Sequence, residues 1–157
     1  MNVIHHNDLI AIQKSDFDLN QHYVQLTALD PAQTGAVVMF SGLVRDLDDS
    51  AVQAMELEHY PGMTEACLQQ IVAQARTRWP LLAVHLVHRI GILQRHDQIV
   101  LVGVASRHRK DAFAASEFIM DYLKQDAPFW KAEITASGKH WVAAKQSDRL
   151  ADKRWKP

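Results

Sequence analysis

Residues 98–105, QIVLVGVA, form an almost unbroken row of apolar, mostly β-branched side chains, and this run limits the possible folds more than any other. A strand without alternation has no polar face to turn to water, so it belongs in the middle of a sheet covered on both sides. Gly35–Val44, GAVVMFSGLV, has the same character and reads as a second doubly covered strand. After the polar turn Asp46–Ser50, residues Val52–Tyr60 alternate. Met55, Leu57 and His59 share one face, and Glu56 and Glu58 the other. The short polar link predicts that these two strands pair as a hairpin.

Two segments switch to helical spacing. Pro61-Gly62 breaks the strand and Thr64 reads as the N-cap of a helix through Arg78, with Leu68, Ile71, Val72 and Ala75 on one face. A second helix is expected over Asp111–Leu123, with Ala112, Ala115, Ile119 and Tyr122 inward. Asp126-Ala127-Pro128 stops it, because a residue before proline avoids the helical region. Leu82–Ile90 is a further strand, joined to 98–105 by a loop around Gly91–Asp97. Phe129–Thr135 and Lys139–Ala143 are short strands, and 146–157 a charged tail. The first thirty residues are weakly patterned, with a short helix over Asp18–Ala28. The order strands, helix, strands, helix, strands predicts an α+β fold, two main helices on a mostly antiparallel or mixed sheet, in one domain spanning 1–157.

Several function classes fall away. No apolar run is long enough to span a bilayer, and MNVIHHNDLIAIQKSD lacks the basic start and apolar stretch of a secretory signal. A single cysteine, Cys67, gives no internal disulfide framework and suits a reducing cytoplasm; mid-helix and without a basic neighbour, it reads as a buried thiol. There is no phosphate-binding glycine loop and no dinucleotide fingerprint. His85 and His88 lie three apart on a strand, which sends them to opposite faces and argues against a shared metal. A pI of about 6.7 without a dense Lys/Arg stripe argues against nucleic-acid binding.

The net charge of −1 conceals an asymmetry: residues 1–58 carry −7 and the remaining 99 carry +6. Either the chain has two differently charged surfaces, or its second half builds a basic pocket for an anionic small molecule. Ser106–Lys110, SRHRK, sets cations at a helix start, where free N–H groups already favour anions. Arg45 ends an apolar strand in an acidic region, either paired with Asp46 or Asp48 or aimed at a ligand. Lys124 closes the second helix, where a lysine also complements the helix dipole. Lys131 follows Phe129 and Trp130, aromatics able to wall a partly dry cleft in which a lysine pKa falls. The two lysines share a site only if Gln125–Pro128 folds the chain back.

At these residues the sequence resembles the catalytic, large subunit family of molybdopterin synthases. The likeness runs through GAVVMFSGLVRD (35–46), LEHYPGMTEACLQQIVAQARTRWP (57–80), HRIGIL (88–93), VGVASRHRKDAF (102–113), FIMDYLKQDAPFWKAE (118–133) and GKHWV (138–142). It implies an α/β hammerhead fold and sulfur transfer from the C-terminal glycine thiocarboxylate of a small ubiquitin-like subunit. The acceptor is cyclic pyranopterin monophosphate, which becomes the dithiolene of molybdopterin without a metal or redox cofactor. It also implies a homodimer of large subunits with a small subunit at each end. Lys124 and Lys131 match the family's active-site lysines, Arg45 its strand-end arginine, and His108 and Arg109 a His-Arg pair that reaches the pocket across the dimer. Val44 and Glu133 would line the same pocket. The chain departs from relatives at Leu43 and Ala132, where polar or basic residues are common. The competing readings are a non-catalytic phosphometabolite-binding module and a scaffold for a ubiquitin-like partner; both leave the two lysines dispensable.

Overall fold

In a computed structural model, residues 5–46, 51–142 and 152–155 are described. The run at 98–105 is part of strand β6 (Gln98–Ser106), which lies inside a four-stranded sheet of order β1-β4-β6-β2. Here β1 is Leu9–Gln13, β2 Ala36–Leu43 and β4 Leu81–Arg89. Helices cover β6 on both faces, which accounts for its lack of alternation. Val100, Val102 and Val104 pack with Leu68, Ile71 and Val72 of α2 (Met63–Arg78) and with Ala115, Phe118 and Ile119 of α3 (Arg109–Asp126). On the opposite face Ala105 packs with Leu26 of α1 (Leu19–Ala28). Gly103 lets α1 approach: a Cβ there would stand 2.6 Å from Leu26 Cδ1.

A second sheet, order β5-β3-β7-β8, is antiparallel throughout; β3 is Val52–His59, β5 Gly91–Leu93, β7 Phe129–Thr135 and β8 Gly138–Val142. The first sheet is mixed, since β1 runs parallel to β4 while β4/β6 and β2/β6 are antiparallel. The α+β expectation therefore holds, with three α-helices and two sheets among the described residues.

Three expectations require correction. β2 and β3 do not form a hairpin: β2 pairs with β6, and β3 pairs with β5 and β7. Alternation reports which face is buried, not which strand lies alongside. β2 is also an edge strand covered on both faces only over its first half: Ala36 and Val38 pack on the α2/α3 core and Val37 and Met39 on Leu26, while Phe40 and Leu43 are exposed. Thr64 is not the N-cap. The helix begins at Met63 behind Gly62 (φ 85°), whose N–H donates to Glu65 Oε2 at 2.6 Å. The turn residues 47–50 and most of the tail lie outside the described residues. Asp152–Trp155 forms a 3-10 turn whose Trp155 packs edge-on against Trp79 and Phe118.

Candidate active site

The site is built where the start of β6, the end of β2, the end of α3 and the inner face of the second sheet meet. Val44 follows β2. Its N–H donates to Asp97 O (2.8 Å), its carbonyl accepts from His96 N (2.7 Å), and its side chain is buried with Met55, Leu57 and Leu93. This anchoring sets the exit of Arg45, which is exposed. Arg45 is not paired with Asp46, which instead contacts His96 Nε2 at 2.7 Å; Asp48 lies outside the described residues.

β7 brings in the rest. It pairs with β3 so that Phe129, Lys131 and Glu133 stand opposite His59, Leu57 and Met55. In an antiparallel ladder, opposed residues share a face. Leu57 and Met55 are buried beside Val44, so Lys131 and Glu133 stand on the inner face, each half-buried. Trp130 faces the other way, half exposed and 6.4 Å from the Tyr60 ring. Only Phe129 therefore walls the lysine's side, contrary to the expectation that both aromatics would. Ala132, on the outer face, is fully buried opposite Glu56 and Trp141.

Lys124 is exposed in the last turn of α3. The helix closes with Ala127 N–H donating to Leu123 O at 3.3 Å, and the chain then reverses, Phe129 N–H donating to Ala127 O at 2.9 Å. The fold-back required for the two lysines to approach is thus present. It is held in part by Thr64, which is fully buried, accepts from Tyr60 N–H at 2.9 Å and donates to Pro128 O at 3.0 Å rather than capping its helix.

His88 lies under this reversal. Its ring stacks on Phe129 with centroids 3.9 Å apart and planes 16° apart. Burial drives its pKa down to about 4, the charges of Lys124 and His59 push the same way, and the hydrogen bond to Arg89 opposes them. Its Nδ1 donates to Arg89 O at 2.8 Å, so in the neutral ring Nε2 is left as an acceptor. His85 faces away, toward α1, with Nδ1 2.9 Å from His22 Nδ1. The two β4 histidines therefore stand on opposite faces, as their spacing predicts.

His108 and Arg109 are not part of this end. His108 is the N-cap residue of α3 and Arg109 its first residue; both are exposed, next to the end of β6 at Ser106. Arg45 lies near Gln98, the other end of the same strand. The strand's nine residues separate the two groups by about 26 Å at the usual rise. Gly35 sits at the His108 end, where a Cβ would stand 2.2 Å from Arg107 O.

A two-sheet α+β fold with arginine and two lysines at one end, and a His-Arg pair at the other, defines a protein suited to holding anionic ligands. The MoaE protein family model matches residues 12–126, and the chain belongs to that family. It is 56% identical over 147 residues to a molybdopterin synthase catalytic subunit of Ralstonia nicotianae, covering 93% of this chain and 83% of that one. It is 53% identical over 148 residues to that of Escherichia coli, covering 93% and 97%. The fold matches a molybdopterin biosynthesis MoaE protein from Burkholderia ambifaria with a TM-score of 0.82 at 53% identity, covering 94% of this chain and 97% of that one. A molybdopterin synthase from Staphylococcus aureus matches with a TM-score of 0.75 at 35% identity, covering 84% and 95%.

Proposed function

We propose that the chain is the catalytic, large subunit of a molybdopterin synthase. In this reading it moves sulfur from the C-terminal thiocarboxylate of a small ubiquitin-like subunit to cyclic pyranopterin monophosphate, forming the dithiolene of molybdopterin. The observation that carries the reading is the chain reversal between Lys124 and Lys131 in a member of the MoaE family.

The substrate phosphate and the thiocarboxylate are both anionic, so the site must supply cations. Arg45, with His108 and Arg109, holds the pterin phosphate. Lys124, exposed at the helix end, meets the incoming tail. The thiocarboxylate sulfur forms a C–S bond to a pterin side-chain carbon as a C–O bond at that carbon breaks and the departing oxygen takes a proton; water then cleaves the acyl C–S bond of the resulting thioester, leaving sulfur on the pterin and a carboxylate on the partner. Lys131 moves the proton and orients the sulfur-bearing intermediate. Glu133 stands two residues along the same face to orient that lysine, and Val44 fixes the backbone from which Arg45 extends.

Because Arg45 and His108 stand at opposite ends of one strand, a single chain does not complete the site. Two copies associate so that the His108–Arg109 pair of one completes the Arg45 site of the other, with a small subunit at each end of the homodimer. Residues 1–157 act as one domain of this assembly, in the cytoplasm; no helix among the described residues is long and apolar enough to cross a membrane. Turnover by Lys131→Ala with thiocarboxylated partner and pterin tests the chemical assignment: loss of product is expected, and full sulfur transfer would remove Lys131 from the mechanism.

A further inference from the structure

The segment between the two lysines has to be held, not merely turned. Fully extended, seven residues reach roughly 24 Å, so the lysines' proximity depends on what fixes Gln125–Pro128. The helix end and the tight turn at Ala127–Phe129 are local bonds and shape the reversal. Neither ties it to the rest of the fold. Two contacts do. One is the stack of Phe129 on His88 from β4. The other comes from α2: the Thr64 hydroxyl donates to Pro128 O at 3.0 Å, and Pro128 is the apex of the reversal.

Thr64 is well suited to this task. It is fully buried, so its hydroxyl has no water to fall back on. Both capacities are used, since the oxygen also accepts Tyr60 N–H at 2.9 Å. Tyr60 is fixed in turn by Thr64 N–H donating to its carbonyl at 2.9 Å. The turn that starts α2 is braced by Glu65, which accepts Gly62 N–H at 2.6 Å and meets His59 Nε2 at 3.1 Å. His59 stands opposite Phe129 in the β3/β7 ladder. The stretch His59–Glu65 is therefore a cradle that holds the apex of the lysine-bearing loop through the Thr64 hydroxyl.

We propose that Thr64 is a positioning residue for Lys124 and Lys131: through Pro128 O it sets the depth and direction of the reversal that carries both amines. This rests on the reading of the two lysines as the sulfur-transfer machinery. Thr64 touches neither substrate nor reacting atoms; it acts through the loop.

The experiment compares wild type, Thr64→Val and Thr64→Ser as full chains with thiocarboxylated partner and cyclic pyranopterin monophosphate. Thr64→Val keeps the volume and deletes both hydrogen bonds; Thr64→Ser keeps the hydroxyl. The expected result for Thr64→Val is kcat per folded molecule lower by roughly 10- to 100-fold, the cost of a small misplacement of reacting groups, with KM for the pterin little changed. Thr64→Ser restores kcat. A purely structural role would lower the melting temperature and folded fraction and leave kcat per folded molecule unchanged, and that outcome overturns the proposal. If Thr64→Val does not fold, Thr64→Ala is read in the same way. A second readout is independent of turnover: acylation of Lys124 and Lys131 by an amine-reactive ester, followed by peptide mass and normalised to exposed Lys14. Thr64→Val should change the rates several-fold and Thr64→Ser should not. If Lys131→Ala proves fully active, the functional reading fails and this labelling alone decides; unchanged rates in Thr64→Val then refute positioning.

Discussion

Arg45 and His108 flank opposite ends of the β2/β6 strand pair, Arg45 beyond the Leu43–Gln98 pairing and His108 beyond the Ala36–Ser106 pairing. If both hold one phosphate, as proposed, that separation requires two chains per site. Mixing supplies a direct check. Neither Arg45→Ala nor His108→Ala should be active alone, but a mixed dimer has one site with both residues intact. Random association then returns about a quarter of wild-type turnover, as expected for a two-fold assembly. No recovery on co-refolding would place both residues in sites belonging to a single chain.

The two lysines should respond differently to arginine. Arginine keeps the charge but does not release a proton near neutral pH. Lys124→Arg, at an exposed helix end, should retain much of the activity, because it has only to meet an anionic tail. Lys131→Arg should lose roughly 10²- to 10⁴-fold in kcat, the range associated with a lost acid–base group. Steady-state kinetics of the two variants decides the division of labour, and equal losses would contradict it.

Much of this arrangement was legible in the sequence. The doubly covered strand β6, the inward faces of α2 and α3 and the extent of β7 follow from periodicity, because each reports a buried face. Strand pairing did not. The alternation of Met55, Leu57 and His59 names their common face correctly but says nothing of whether Gly35–Val44 or Phe129–Thr135 lies alongside. β1 and β5, at five and three residues, are too short for a pattern to emerge. Trp130 adjoins Lys131 in sequence but not in space, because strand geometry sends neighbours to opposite faces. The role of Thr64 depends on a partner 64 residues away, which local capping rules do not reveal.

Gly35→Ala should damage the His108 end of the site. The Cβ would meet a backbone oxygen, Arg107 O, which cannot move aside as a side chain can. Overpacking of this kind costs about 1–3 kcal/mol. A lower melting temperature together with a raised KM for the pterin is expected; a wild-type KM would separate the loop's position from phosphate binding.

Acid should destabilise the fold through its buried histidines. Burial holds His85 and His88 at about 4, below the ordinary 6.5. Each is neutral when folded and takes up a proton on unfolding, so the unfolded chain binds more protons between those values. Their stabilisation is complete above about pH 6.5 and is lost as the pH falls toward 4. Urea denaturation midpoints should therefore drop between pH 7 and 5, with a shallower slope in His85→Gln. An unchanged slope in that variant would show that His85 does not titrate on unfolding.

Sulfur transfer is the decisive measurement. The purified chain, mixed with a thiocarboxylated small subunit and cyclic pyranopterin monophosphate, should yield dithiolene-bearing molybdopterin and return the partner with a C-terminal carboxylate. Absence of product, with partner and substrate shown competent on a known synthase, would contradict the account.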